Sequence, residues 1–397
     1  MKIKFSECVK YMVKGPFGSD MKKSLYVPKG EDTYKVYVQG NAIQKDENLG
    51  DYYIQSEYFH QKLKRFEVHP GDYIITCDGT LGKYIKLSEN IERGVISSSL
   101  LLLKLDEEVI YDKYFELLWD NSMLSYLASQ ARNACLVHLP SAKTIGEIII
   151  NLPELSVQRE MADKAFLIVN IIQQRNKELS MLDDLIKARF VEMFGDMYLN
   201  SKGWSEAKLE SMADVVSGIT KGRKTKSEDL TEVPYMAVSN VKDGYIDWTT
   251  VKTIEATQQE IEQYRLLADD VLMTEGGDPD KVGRGAIIKE PLENCIHQNH
   301  IFRVRLDESM ILPEFFAEYL QHQRSKRYFL GCAKQTTGIA SINMTQLRAL
   351  PVLIPPLSKQ EEFVLFKSQV DKSKVEVQKA LDETQKLFDS LMQQYFG

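Results

Sequence analysis

The sequence predicts a mixed α/β (α+β) fold in which two related globular domains each precede one long helix. Two observations lead to this prediction. A segment that begins at Leu152 recurs at Ile354, 202 residues later, and each copy has the pattern of a long helix. The stretches ahead of the two copies alternate between strand-like and helical patterns, with glycines at the turns.

The repeat is clearest where each long helix begins. The sequence Leu152-Pro-Glu-Leu-Ser-Val-Gln158 corresponds to Ile354-Pro-Pro-Leu-Ser-Lys-Gln360, and the alignment runs without a gap to Gly195 and Gly397. Ten of the 44 aligned positions are identical. No proline or glycine interrupts either copy between its opening motif and its final glycine, so each copy predicts an unbroken helix.

The two helices carry matching apolar stripes. Ser156 and Ser358 are the expected N-caps, and behind them apolar residues recur at spacings of three and four, on one helical face. Such stripes need a partner, and we expect the two helices to pair as an antiparallel coiled coil. The alternative is that each helix packs only on its own domain. The stripe residues are Ile168, Ile172, Leu179, Leu182 and Ile186 in the first helix, and Val370, Val377, Leu381, Phe388 and Leu391 in the second.

The repeat defines four segments along the chain. They are a first globular domain in residues 1–151, a long helix within 152–198, a second globular domain in 199–353 and a second long helix within 354–397. Strand patterns occur at 34–38, 72–76 and 300–306, and helix patterns at 114–128 and 313–329.

A pseudo-two-fold relation between the halves has a geometric consequence for the termini. In the repeat, Met1 corresponds to Ser205 and Gly397 corresponds to Gly195. Gly195 and Ser205 are joined by a link of only ten residues, so the distance between Met1 and Gly397 should be similar to the distance that this link spans. An extended link of that length spans at most about 36 Å. We therefore expect the two termini to lie within that distance of each other.

Composition narrows the class of protein. With 43% apolar residues, 27% charged residues and no apolar run of membrane-spanning length, the chain is expected to be cytoplasmic, without membrane contact. The five scattered cysteines predict reduced thiols, and a structural role is favoured over a metal site for His297 and His300. The net charge of −7 argues against DNA binding, but each globular domain carries nearly equal numbers of acidic and basic residues.

The sequence contains no catalytic motif, but it has polar, basic loops beside glycine turns. A phosphate-binding loop, a nucleophile elbow and the motif of amino-methyltransferases are all missing. Lysine and arginine donate to phosphates and to guanine, while asparagine and glutamine pair with adenine, so these loops are candidate DNA contacts. Ordinary surface loops have a similar composition. The candidates are Ser19, Lys22, Lys23, Lys83, Arg132, Asn133, Lys221, Arg223, Lys224, Lys281, Arg284, Lys334 and Gln335, with no metal ligand among them.

Several motifs, taken together and in order, resemble the DNA-specificity subunits of type I restriction–modification systems. They are Gly15-Pro-Phe-Gly-Ser19, Gly79-Thr-Leu-Gly-Lys83, Val282-Gly-Arg284 and Thr337-Gly-Ile-Ala-Ser-Ile-Asn343, together with the Pro-x-Leu-Ser-x-Gln that opens each helix. The resemblance covers essentially the whole chain. Two departures are Lys83, where arginine is usual, and Ala134-Cys-Leu-Val-His138 in place of the Thr-Gly loop of the second half.

The resemblance implies a non-catalytic subunit that reads a split, asymmetric site on double-stranded DNA. One target-recognition domain would read each half of the site, and an antiparallel pair of long helices would hold the two domains apart. The helices would dock two methyltransferase subunits, which in turn recruit the restriction subunits, an ATP-driven translocase–nuclease. S-adenosylmethionine, magnesium and ATP would be bound by those partners, with no cofactor in this chain.

Two other functions remain open from the sequence. The chain is also compatible with a specificity subunit of a different methyltransferase–nuclease assembly, which co-purification of its partners would reveal. In a different class of function, it is compatible with a scaffold whose coiled coil and globular domains bind other proteins. A salt titration of DNA binding separates these classes, because DNA readers release counterions and lose affinity steeply as salt rises.

The first prediction concerns the isolated chain. Because no catalytic motif is present, the purified protein should neither methylate nor cleave DNA with S-adenosylmethionine, magnesium or ATP added. Transfer of labelled methyl groups and nicking of a plasmid are the measurements. Methyl transfer above the level of a mock purification would contradict the prediction.

Overall fold

The protein is described by a computed structural model that covers residues 1–131, 138–223, 229–278, 282–336 and 338–397. Its packing divides the chain into two compact units. Unit 1 comprises Met1–Arg175 and Ala380–Gly397, and unit 2 comprises Asn176–Lys379. The divisions fall inside the two long helices, so each unit contains one globular domain and a segment of each helix.

The described residues of unit 1 form nine strands and the beginning of the first long helix. The strands are β1 (Lys2–Lys4), β2 (Val9–Lys14), β3 (Thr33–Tyr37), β4 (Tyr53–Gln55), β5 (Tyr73–Thr76), β6 (Tyr84–Lys86), β7 (Gly94–Ile96), β8 (Leu100–Leu105) and β9 (Ile149–Asn151). The helices are α1 (Gln39–Gln44), α2 (Ser56–Tyr58), α3 (Asp112–Leu118), α4 (Leu124–Ala131), α5 (Ala142–Gly146) and α6 (Leu155–Phe194), with a π-helical turn at Trp119–Met123.

Unit 2 repeats this series of elements. Its strands are β10 (Ser205–Lys208), β11 (Ala213–Ser217), β12 (Thr231–Met236), β13 (Lys252–Ala256), β14 (Val271–Thr274), β15 (Gly276–Gly277), β16 (Gly285–Ile287), β17 (Ile296–His297), β18 (Ile301–Leu306), β19 (Lys334–Thr336), β20 (Ile339–Ser341) and β21 (Pro351–Ile354). The helices are α7 (Gln258–Tyr264), α8 (Pro313–Gln321), α9 (Gln323–Cys332), α10 (Met344–Arg348) and α11 (Leu357–Phe396). The predicted helix at 313–329 is therefore two helices, separated at His322.

The two units have the same sheet topology. A four-stranded antiparallel sheet has the order β2-β8-β5-β6 in unit 1 and β11-β18-β14-β16 in unit 2. A three-stranded sheet has the order β4-β3-β7 in one and β13-β12-β17 in the other, and β1-β9 matches β10-β21. The small sheet β15-β20-β19 of unit 2 has no counterpart among the described residues of unit 1. The mixed fold and the internal repeat are confirmed.

The central strand β8 explains the most apolar stretch of the sequence. Leu101 and Leu103 pack in one core with Trp119, while Leu100 and Leu102 pack in a second core with Tyr37. Successive side chains of a strand point to opposite faces, so a strand that is covered on both faces is apolar at every position.

A buried glutamine joins each globular domain to its long helix. The Gln158 side chain accepts from the Tyr111 backbone N–H at 2.9 Å and donates to the carbonyls of Val109 and Pro153 at 3.0 and 2.9 Å. Gln360 makes the same three bonds in unit 2. It accepts from the Leu312 N–H at 2.8 Å and donates to Met310 and Pro355 at 3.1 and 2.8 Å. This clamp accounts for the glutamine in the repeated motif.

The expected N-caps are wrong. The helices begin at Leu155 and Leu357, one residue before Ser156 and Ser358, so each serine lies inside the first turn. The carbonyl of Glu154 accepts the first helical bond, from the Gln158 N–H at 3.0 Å. A proline follows the strand in both copies, and the glutamine side chain donates to the carbonyl of that proline. The next carbonyl, of Glu154 or Pro356, therefore accepts the first helical bond, and that residue is the N-cap.

The long helices run antiparallel within unit 2. Arg189 pairs with Glu362 at 2.9 Å, and Asp183 pairs with Lys374 at 2.5 Å, so one helix ascends as the other descends. In unit 1, segments of α6 and α11 contribute Ala165 and Met392 to the same apolar core. The predicted coiled-coil pairing is confirmed, and the alternative, in which each helix packs only on its own domain, is wrong. The paired helices also contribute residues to the cores of the globular domains.

All ten stripe residues lie on packed faces. Ile186, Val370 and Val377 are buried, and the other seven are half-buried.

The described helices include none that is long and apolar enough to cross a membrane.

Both chain termini lie in unit 1 and close together. The Met1 amino group donates to the Leu152 carbonyl at 2.7 Å, and Lys2 pairs with Asn151 in the β1-β9 sheet. Asn151 and Gly397 line one cavity of about 420 Å³. The termini therefore lie within the expected distance.

The second prediction concerns the glutamine clamp. Gln360→Met keeps the length of the side chain and removes its bonds, leaving the Leu312 N–H and the carbonyls of Met310 and Pro355 without a partner. We expect the free energy of unfolding, measured by urea titration, to fall by roughly 2–5 kcal/mol. Gln394→Met, an exposed position on the same helix, is the control. A change at Gln360 no larger than the control would show that the clamp is dispensable.

Candidate nucleic-acid interface

The candidate loops meet at one end of the four-stranded sheet in each unit, where the strands run into loops. In unit 1, β2 and β5 end at this edge, where Lys14 pairs with Leu101 and Thr76 pairs with Leu100. In unit 2, β11 and β14 end in the same way. We call this the loop edge. It comprises residues 15–19, 77–83, 97–99 and 138 in unit 1, and residues 218–223, 275–278, 282–284, 298–300, 334–335 and 338–341 in unit 2.

Glycine is required where the first loop of each unit leaves its strand. A Cβ on Gly15 would lie 2.0 Å from the Ser97 carbonyl oxygen, and a Cβ on Gly218 would lie 1.9 Å from the His297 carbonyl oxygen. Neither backbone oxygen is able to move aside for a side chain. The Gly15-Pro-Phe-Gly motif and its counterpart at Gly218 therefore place the loop directly against the neighbouring strand.

A small hairpin completes the loop edge of unit 2. The carbonyl of Glu275 accepts from the Ile342 N–H at 2.8 Å, and Gly276 pairs with Ser341, which also pairs with Lys334. Lys334 and the adjacent Gln335 are both exposed on β19. The hairpin thus holds a cation and an amide beside each other at the edge of the sheet.

The structure brings five of the predicted DNA contacts to the loop edge as exposed side chains. They are Ser19, Lys83, Lys221, Lys334 and Gln335. Lys22 and Lys23 are also exposed and follow the first loop of unit 1, where the Tyr58 hydroxyl donates to the Asp20 carbonyl at 3.0 Å. Arg132, Asn133, Lys224 and Lys281 lie outside the described residues.

Arg223 has an intramolecular partner. Its guanidinium donates to both carboxylate oxygens of Glu260, at 2.6 and 2.5 Å. This contact lowers the pKa of Glu260 to about 2, and Glu260 also completes the capping box of α7 with Thr257. A DNA contact by Arg223 would require it to leave this ion pair, so its role as a reading residue stays a prediction.

Arg284 is half-buried in the turn that follows Gly283. Its carbonyl accepts from the Thr274 N–H at 3.2 Å, and its Nε is buried without a hydrogen-bond partner among the described residues. A Cβ on Gly283 would lie 2.1 Å from the Phe329 ring, so glycine is required at this turn as well. The turn holds Arg284 beside the end of β14.

Two histidine–carboxylate pairs at the loop edge were missed by sequence reasoning. His138 lies 2.6 Å from Asp78, and His300 lies 2.5 Å from Glu275. The partners are 60 and 25 residues apart in the chain, so no local motif marks them. Only the strand register brings them together.

His297 is structural, as the sequence favoured. Its ring is buried, with Nδ1 3.1 Å from the Tyr264 carbonyl and Nε2 3.4 Å from the Val216 carbonyl. A neutral ring donates only one of these bonds, and the shorter distance assigns the proton to Nδ1. Burial lowers the pKa of His297 to about 4. In the part of the chain that the structure describes, no group of three His, Cys, Asp or Glu residues is arranged to hold a metal ion.

Comparison with known proteins shows what the second half of the chain resembles. Residues 201–385 match the model of the type I restriction modification DNA specificity domain. The second half of the chain is therefore similar to this domain. The resemblance that the sequence motifs predicted is therefore confirmed.

Two curated relatives are similar to longer stretches of the chain. The specificity subunit of the Escherichia coli type I restriction enzyme EcoKI is 23% identical over 266 residues, which cover 63% of this chain and 57% of that one. The putative MjaX specificity subunit of Methanocaldococcus jannaschii is 26% identical over 195 residues, covering 49% and 45%. The matched region spans about half the length of these curated relatives.

Solved structures share the fold of this chain. A chain from a study of the assembly and conformational transition of the type I R-M system aligns with a TM-score of 0.61 at 14% identity, covering 100% of this chain and 97% of that one. The type I restriction–modification S subunit from M. genitalium aligns with a TM-score of 0.55 at 14% identity, covering 100% and 96%. The arrangement of mixed domains and long helices is thus a known fold.

The third prediction concerns His297. Its pKa is lowered on folding, so the unfolded chain takes up a proton between about pH 6.5 and 4 that the folded chain does not bind. The stability that His297 contributes is present above about pH 6.5 and is lost as pH falls towards 4, by at most about 1.4 kcal/mol per pH unit. His297→Gln should remove this share of the slope of unfolding free energy against pH.

The control for this experiment is His69→Gln, which replaces a half-exposed histidine of unit 1. The control should retain the slope of the wild-type chain in the same urea titrations. An unchanged slope in the His297→Gln variant would contradict the assignment of His297 as a buried neutral ring.

Proposed function

We propose that this chain is the non-catalytic DNA-specificity subunit of a type I restriction–modification complex, acting in the cytoplasm. Each unit reads one half of a bipartite, asymmetric site on double-stranded DNA. The observation that carries the proposal is the repeated loop edge. Both units present loops from the same edge of the same four-stranded sheet, and the side chains on those loops differ between the units.

The chemistry of the loop edge suits contact with DNA. Lys83, Lys221 and Lys334 are exposed cations, which bind backbone phosphates or guanine. Gln335 is exposed beside Lys334, and a glutamine amide pairs with the N6 and N7 atoms of adenine. Because the common backbone frame places different residues at the edge in each unit, the two half-sites would differ in sequence.

The long helices offer surfaces for the partner subunits. The stripe residues expected to dock partners are used within the helix pair itself, which leaves their docking role a prediction. Other apolar residues of the helices face solvent. They are Leu167, Met181, Leu185, Leu365, Val375 and Leu387, each between 46% and 65% exposed.

We assign these exposed residues to docking of the two methyltransferase subunits, which would recruit the ATP-driven restriction subunits. S-adenosylmethionine, magnesium and ATP would be bound by those partners. This chain would supply the sequence information alone.

The fourth prediction separates reading from folding. The complex containing the double variant Lys334→Ala/Gln335→Ala should lose discrimination at one half-site and retain it at the other, because the two residues belong to unit 2. Removal of a well-placed base contact costs about 1–3 kcal/mol of discrimination. The measurement is sequencing of methylated adenines in cells that express the complex.

The control for the reading variant is Lys208→Ala, an exposed position on β10 outside the four-stranded sheet. It should leave the methylated sequence unchanged. Altered preference at both half-sites in the double variant would contradict independent reading by the two units.

A further inference from the structure

Each unit has one histidine–carboxylate pair at its loop edge, and the two pairs are alike in geometry. His138 Nδ1 lies 2.6 Å from an Asp78 oxygen, with the side chains 48% and 34% exposed. His300 Nδ1 lies 2.5 Å from a Glu275 oxygen, with the side chains 55% and 35% exposed. Both rings are held at one nitrogen while remaining open to solvent.

The backbone holds each pair together as firmly as the side chains do. Asp78 and His138 form an antiparallel bridge, and the neighbouring Leu139 N–H donates to the Cys77 carbonyl at 2.8 Å. The Glu275 N–H donates to the His300 carbonyl at 2.9 Å. Backbone hydrogen bonds therefore hold the two members of each pair beside each other.

The two pairs do not descend from aligned residues of the repeat. In unit 2 the histidine lies just before β18, whereas in unit 1 it lies outside every strand, after residues 132–137. The same chemistry at the same edge is therefore reached from two different loops. A feature shared by two readers of different sequences is suited to a part of DNA that is the same in every sequence, which is the phosphate backbone.

The charges of each pair favour a phosphate over a base as the DNA group that the histidine contacts. The carboxylate accepts the Nδ1 proton, which leaves Nε2, and neither Nε2 has a hydrogen-bond partner in the described ranges. A phosphate beside a lone carboxylate is repelled, but a protonated imidazole between them donates to both anions. The carboxylate holds Nδ1, so Nε2 is the ring nitrogen that would donate to a phosphate oxygen.

We propose that His138 and His300 are phosphate-contacting residues of the loop edge, and that Asp78 and Glu275 are positioning residues that hold the two imidazoles for DNA backbone phosphates. This inference rests on the proposed DNA-binding function and adds to it a proton that is taken up on binding. Neither pair contributes to sequence discrimination. Both act on affinity and on the alignment of the duplex against each unit.

Other charged groups near each pair set the local field. In unit 1, the Lys14 ammonium donates to the Leu139 carbonyl at 3.1 Å, and Lys83 ends the turn that begins with Cys77 and Asp78. In unit 2, Arg284 is tied to the backbone of Thr274, next to Glu275, and Asp278 follows on the same loop. These cations attract phosphate whether the imidazole is neutral or protonated. The change of DNA affinity with pH is therefore assigned to the histidines.

The experiment measures binding of the full chain to a mixed-sequence duplex of about 30 base pairs at constant ionic strength. Affinity for the wild-type chain should rise as pH falls from about 8 to 6, by up to about tenfold per pH unit for each pair. His138→Gln and His300→Gln should each remove part of this rise, and the double variant should remove most of it. At low pH each variant should also reduce the salt dependence, by about 0.9 in log–log slope per lost phosphate contact.

The matched control lies at the opposite edge of the same sheet. His69 is 58% exposed and lies 3.8 Å from Asp72, which precedes β5, so it has similar chemistry away from the loop edge. His69→Gln should keep the full pH response. The inference is wrong if His69→Gln reduces the pH response as much as the two loop-edge variants do, or if none of the three variants reduces it. In either case, salt-dependent DNA binding by the wild-type chain would leave the proposed function intact. Failure of the wild-type chain to bind DNA at low salt would overturn both.

The positioning residues are tested by removing charge without changing shape. Asp78→Asn and Glu275→Gln keep a hydrogen-bond acceptor beside the ring but remove the negative charge. The pH at which affinity rises should therefore move lower in these variants. An increase in affinity at every pH with no such shift would show that the carboxylates only repel DNA, and would overturn their assigned role.

Discussion

The attachment of each long helix to its globular domain depends on one buried amide side chain. Gln158 and Gln360 each satisfy one backbone donor and two backbone carbonyls, which belong to the loop before a domain helix and to the strand exit. An amide side chain offers one carbonyl acceptor together with two N–H donors, which matches these three bonds. Unpaired buried backbone groups are costly, so the position tolerates few other residues. The direction in which the helix leaves each domain is set here, and with it the antiparallel pairing in unit 2.

The fold was predictable from the sequence where the geometry demands particular residues. The repeated proline, glutamine and glycine are such positions, and they revealed the duplication. At other equivalent positions, the two units use different side chains as hydrogen-bond partners. Asp72 accepts from the Tyr11 hydroxyl, while Asp270 accepts from the Arg305 guanidinium, although both also accept a backbone N–H from three residues earlier. Sheet order depends on such long-range partners, and the start of each long helix depends on a side-chain contact of its glutamine, which is why the N-caps lie two residues before the predicted serines.

The candidate site was predictable in composition but not in arrangement. Residue type alone selected exposed lysines at the loop edge, and it also selected Arg223, whose ion pair with Glu260 has no local signature. The histidine–carboxylate pairs could not be predicted, because their residues are far apart in the sequence and have no marked residue type. His138 and Asp78 are unremarkable in sequence, and they meet because an antiparallel bridge places them side by side. A one-residue shift of that register would turn the side chains to opposite faces of the sheet.

The distribution of paired and unpaired cations resolves the conflict between an acidic chain and a DNA ligand. At the edge of the sheets opposite to the loop edge, cations are neutralised, as with Arg305 on Asp270 and Lys289 on Asp269. At the loop edge, Lys83, Lys221 and Lys334 are exposed and form no ion pair within the described ranges. DNA responds to the local field over about one Debye length, roughly 8–10 Å, and not to the net charge of −7. The exposed lysines at each loop edge therefore attract the duplex locally, although the chain as a whole is acidic.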